Sequence, residues 1–110
     1  MYRQGDILIQ QVAAEAVPAA ARALPPVPRD ARGRLVLALG EATGHAHALT
    51  GQGTLYRTPH LLSPDYLHLP EGGRLVHEEH GPITLPKGWF QVVRQREYVP
   101  RSFDARPVAD

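Results

Sequence analysis

Six histidines stand in this 110-residue chain, and four of them fall into two short clusters. The first is Gly44-His45-Ala46-His47 and the second is His77-Glu78-Glu79-His80. A neutral imidazole can bind a divalent transition metal, act as a general base near neutral pH, or sit as a polar surface group. Spacing helps to separate these uses. Residues i and i+2 of a strand share a face, so His45 and His47 project together if their segment is extended. Such a pair is a two-point clamp for an ion that takes imidazole nitrogens at about 2.0–2.1 Å. A metal site needs at least one further protein ligand. On a strand over 74–79, His77 and Glu79 share one face and are the simplest completion. His80 is the substitute where the chain bends at Gly81-Pro82. Zinc is the plainest divalent ion for an imidazole-rich site without redox demands, with iron, manganese or nickel behind it.

The elements that must carry these residues are short. Eleven prolines and ten glycines break up the chain, which leaves little room for long helices. Strand-like runs fall at 6–12, 34–39, 45–50, 54–57, 66–69, 74–79, 83–85 and 89–98, and marked turns such as Gly51-Gln52-Gly53 separate them. The pattern predicts an all-β fold, a small antiparallel β-barrel or sandwich, as a single domain over 1–100. An Ala/Pro-rich insertion spans 13–33, with seven alanines between 13 and 23 and then Pro25, Pro26 and Pro28. It predicts a short helix over 18–24, stopped by the prolines and followed by an extended, exposed connection that serves as a spacer. Residues 101–110 read as a polar tail.

Composition removes several function classes. With no cysteine there are no disulfides, zinc ribbons or thiol chemistry. No apolar run approaches the length of about 20 residues that a membrane span requires, and the opening MYRQGDILIQQV is not a signal peptide. A cytoplasmic protein is the resulting expectation. The net charge of +1 gives no argument for nucleic acid. Eleven of the twelve basic residues are arginines, a bias that codon usage in a GC-rich genome also produces.

Two stretches resemble the motifs of the cupin barrels. Gly40-x4-His45-Ala46-His47-x4-Gln52 is similar to the first cupin motif, one residue short in its opening gap and with Gln in the Glu position. Gly81-x4-Pro86-Lys87-Gly88-x2-Gln91-x3-Gln95 is similar to the second, with Gln in the His position. The resemblance implies a cupin-like barrel in which His45 and His47 correspond to metal ligands, with Gln52 and Gln91 as weak replacements. YRQGDILI, GEATGHAHAL, HEEHGPITLP and QREYVP also resemble a family of small bacterial and phage proteins, a likeness that implies no activity.

The leading expectation is a small metal-binding protein built on His45 and His47. His77 is its third ligand, and His80, Glu79 or Gln52 completes or tunes the site. An open coordination position would let a metal-bound water hydrolyse a substrate. Two other classes compete. A metal-free phosphodiesterase or nuclease would pair histidine acid–base chemistry with arginine, and Arg94, Arg96 and Tyr98 share a face on the last strand. A non-catalytic binding or assembly module would use a sheet face or edge to take a small ligand, a protein partner or a second copy in a homodimer. Its aromatic residues include Tyr56, beside Arg57, as well as Trp89 and Phe90. His60 and His68 read as surface residues.

Overall fold

Alternation decides the architecture. Ile7 and Ile9, Leu35 and Leu37, Leu67 and Leu69, and Phe90 and Val92 are pairs two apart, all no more than 1% exposed. Such a period of two turns one side of each strand to a common interior. The computed structural model of the protein describes residues 1–39, 45–59 and 63–94. Among these, nine strands form: β1 (Tyr2–Gln4), β2 (Ile7–Val12), β3 (Leu35–Leu39), β4 (Ala46–Thr50), β5 (Thr54–Tyr56), β6 (Asp65–Leu69), β7 (Gly73–Val76), β8 (Ile83–Leu85) and β9 (Gly88–Arg94). One sheet has the order β1-β2-β9-β6-β5 and the other β3-β4-β7-β8, with every pairing antiparallel. The inner faces share one core that includes Ile9, Leu49, Leu55, Leu75, Leu85 and Phe90. Full burial of each such side chain contributes about 1.5–3 kcal/mol.

The all-β expectation holds, and of its two forms the described residues take the sandwich: the strands lie in two sheets that do not close into a barrel. Three differences have local causes. Tyr2–Gln4 forms a strand because Gly5, at φ +60°, and Asp6 make a two-residue hairpin closed by Gln4 opposite Ile7. The strand expected over 74–79 stops at Val76. There the His77 ring accepts the backbone N–H groups of Glu79 and His80 and bends the chain out of the ladder. The last strand is described as far as Arg94, so Gln95, Arg96, Tyr98 and the tail, like His60, lie outside the described residues.

The Ala/Pro segment is more than an exposed spacer. It holds a 3-10 turn at Ala14–Ala16 and one helical turn, α1, at Ala19–Arg22, shorter than the expected helix. Val17 and Ala21 are buried, and the Arg22 guanidinium lies 4.6 Å from the centre of the Trp89 ring. Further on, Val27 N–H donates to Leu55 O at 2.9 Å, which covers part of the open edge of β5. Among the described residues no helix is long and apolar enough to cross a membrane.

A buried carboxylate joins the sheets at one end. Asp65, 1% exposed, accepts hydrogen bonds from Arg57 Nη1 at 3.1 Å and Thr58 N–H at 3.0 Å, and Arg94 Nη2 lies 3.7 Å away. The same Arg57 donates to Val36 O and Leu37 O across the gap, at the bulge where β3 shifts register against β4. One guanidinium thus neutralises a charge in one sheet and satisfies carbonyls freed by the bulge in the other. Arg57→Ala is expected to cost about 3 kcal/mol or more, because it strands a buried carboxylate as well as the carbonyls. Urea unfolding checks this, and an unchanged midpoint would show that Arg94 and Thr58 hold Asp65 without help.

Candidate functional site

The alternation that builds the core also aims the histidines. Leu49 and His47 are two apart on β4, and Leu75 and His77 are two apart where β7 ends, so both rings continue inner-face columns past the last leucines. His45 precedes β4, and His80 lies in the bend before β8. Four imidazoles therefore converge at one end of the sandwich. Ring centres lie 4.3 Å apart for His47–His77, 4.6 Å for His77–His80, 5.5 Å for His45–His77 and 6.0 Å for His47–His80.

His47 is the fixed member of the group. It is 2% exposed, and its Nδ1 lies 2.9 Å from Gln4 Oε1. The Gln4 amide nitrogen donates to Leu75 O at 3.3 Å and Gly81 O at 2.9 Å, so Oε1 is its acceptor end. Nδ1 of His47 must then carry the hydrogen, which leaves the Nε2 lone pair for the site. That nitrogen lies 3.4 Å from Asp6 Oδ1. Two lone pairs facing each other repel unless a proton or a cation lies between them. Burial holds the His47 pKa below its ordinary value, helped by the His77 charge and opposed by Asp6.

His77 and the two glutamates shape the bend. His77 Nδ1 accepts from Glu79 N–H at 3.0 Å and His80 N–H at 3.3 Å, so its neutral ring carries the hydrogen on Nε2. Glu78 Oε1 accepts Ala46 N–H at 2.9 Å, the bond that chiefly lowers the Glu78 pKa. Glu79, 65% exposed, sets Oε2 3.6 Å from His45 Nδ1, a weak contact in water. Among the described residues no three His, Asp or Glu side chains already stand in a metal-holding arrangement.

The two histidine clusters thus meet, and Glu79 joins them through His45. Gln52 does not. It is exposed in the turn beyond Thr50, and Thr50 itself ends β4 about 10 Å along the strand from His47. Gln91, the other residue suggested by the cupin resemblance, lies on β9 between inward-facing Phe90 and Val92 and points to the outer face of the other sheet. His68 is stacked on Trp89 at 4.5 Å rather than standing free on the surface. Sequence reasoning missed Asp6 and Gln4. Their signal was Gly5-Asp6, a turn-forming dipeptide directly before the apolar run Ile7-Leu8-Ile9.

With the native His47 pKa depressed, the unfolded chain binds the extra proton first as the pH falls. Stability from this residue is full above the unfolded value of about 6.5 and declines as the pH drops from there toward the native pKa. Melting temperatures should therefore fall on acidification below about pH 6.5, and less steeply in His47→Gln. Equal slopes would place the linkage elsewhere. Gly5→Ala should cost about 1–2 kcal/mol for the left-handed backbone. The new Cβ would also lie 2.9 Å from His80 Nε2 and 3.1 Å from His47 Cε1, and thermal unfolding measures the loss.

A family model described as a domain of unknown function (DUF8820) matches residues 3–95. Neither a curated protein nor a solved structure matches the chain.

Proposed function

The chain belongs to this family, DUF8820, and we propose from its own residues that it is a small metal-binding protein whose histidine end takes a divalent ion, zinc first. One observation carries the reading. His47 is buried, its Nδ1 hydrogen is committed to Gln4, and its remaining lone pair faces a carboxylate across 3.4 Å. A second-sphere partner that fixes the tautomer of a ligating histidine is the usual companion of a metal site. The rings of His77 and His80 lie against that of His47, while His45, beside His77 and Glu79, stands at the margin of the group and Gln52 lies outside the reading.

A purely structural role for the cluster makes a different demand. Four rings held for packing would be as well served by apolar side chains, and would not require a buried imidazole nitrogen to face a carboxylate oxygen. Tag-free protein incubated with zinc and dialysed should hold close to one equivalent by plasma mass spectrometry. His47→Gln should hold far less while remaining folded by circular dichroism. Protein that retains no zinc, nickel or iron would overturn the reading.

A further inference from the structure

Resting on that metal-binding reading, we propose that Asp6 is the second protein ligand beside His47 and that His80 is the third. The ion then joins the β1–β2 turn of one sheet to β4 and the β7–β8 bend of the other.

The distance between the first two groups supports the pairing. Two ligands bound at about 2.0–2.1 Å to a tetrahedral ion stand about 3.4 Å apart. His47 Nε2 and Asp6 Oδ1 are 3.4 Å apart, so an ion fits between them without moving either group. Asp6 is 29% exposed, which leaves its carboxylate open to solvent and to an arriving ion. Gly5 sets its place: the left-handed φ of +60° turns the chain at once into β2. Gln4, on the other side of the turn, holds both the His47 ring and the carbonyls of Leu75 and Gly81.

The choice of His80 follows from what the other imidazoles are doing. Ring centres of two imidazoles on one tetrahedral ion lie about 5 Å apart or somewhat more. His47 and His77 are at 4.3 Å, face against face, too close to share an ion as they stand. The Nδ1 of His77 is also occupied by two backbone N–H groups, so its Nε2 carries the hydrogen and has no lone pair to give. His77 is therefore a positioning residue that shapes the bend carrying His80. The His80 ring lies 6.0 Å from that of His47, and its Nε2 faces Gly5, next to Asp6. His80 is exposed, and the third bond requires its side chain to rotate toward the ion. His45, paired with Glu79 on the outer side, is not part of the ligand set. Three protein ligands leave one position of a tetrahedral ion for water or an anionic oxygen.

The test is a zinc chloride titration by calorimetry on the tag-free full chain, with cobalt(II) absorption as a report on coordination number. Asp6→Asn keeps the turn and the size of the side chain but gives up the carboxylate, and His80→Ala removes the third ligand. Each should weaken zinc by about 100-fold or more, the upper end of what outer-sphere changes cost, and should abolish the intense tetrahedral cobalt band. His45→Ala and Glu79→Gln should bind within about threefold of wild type, below the range of outer-sphere losses. Apo melting temperatures of Asp6→Asn and His80→Ala close to wild type would tie the loss to the ion. Wild-type affinity in Asp6→Asn or in His80→Ala would overturn the assignment while leaving a metal protein. Absence of zinc binding in the wild type would remove the metal reading and the assignment together.

Discussion

The amide of Gln4 is the group on which the histidine end depends. It is 3% exposed, and each of its ends is used: the oxygen by His47, the nitrogen by the carbonyls of Leu75 and Gly81. A buried amide costs free energy unless its hydrogen bonds are made, and here they are made to the opposite sheet. The residue therefore does two things. It fastens the β1–β2 hairpin across the sandwich, and it decides which nitrogen of His47 is free. A glutamate in its place would reverse neither carbonyl dipole and would bring a charge where two acceptors already point. A leucine would fill the space and release the His47 tautomer.

The same end of the sandwich holds the second polar network, nearer β5. Arg94 is paired with Ile7, directly after Asp6, and its guanidinium reaches toward Asp65, while Arg57 crosses from β5 to the bulge in β3. The interior thus changes character along its length. Leucines, isoleucines and Phe90 fill the middle, and charged and hydrogen-bonding groups close one end. Polar groups in a sandwich are tolerable where each finds a partner, and the end of the sheets, where ladders run out and carbonyls are spare, supplies them. The bulge between Val36 and Ala38 is part of this supply.

How much of this was legible in the sequence varies with the kind of constraint. Period-two alternation located eight of the nine described strands and the shared face of His45 and His47, because local pattern fixes which side of a strand faces inward, while the second histidine cluster was joined to the first only through the demand for further ligands. It could not fix which residues of distant strands face one another. Asp6 lies beside His47 only because β2 belongs to one sheet and β4 to the other, a tertiary fact with no local trace. Gln52 was misplaced for the converse reason: motif spacing was read as proximity, yet beyond Thr50 the chain has already reached the far end of the sheet. The early end of β7 turned on a side-chain–backbone bond by His77, which competes with the ladder in a way that alternation does not register.

The pairing of β2 with β9 has a consequence for how the chain reaches this state. β2 has only the three-residue β1 as its other neighbour, so the larger part of its ladder waits for the segment Gly88–Arg94. Gln4 and Gly81, whose contact secures the hairpin to the opposite sheet, are 77 positions apart. Chain-closing contacts of this range are slow to form, since the entropy of the intervening loop is lost before any of them is gained. On the ribosome, Ile7 and Ile9 emerge with only β1 to pair with and lack the β9 side of their ladder until Gly88–Arg94 appears. The hairpins β3–β4, β5–β6 and β7–β8 can close in the meantime, which makes the joining of the β1–β2 hairpin, with Gln4 and Asp6, to β9 the late step in assembling the sandwich.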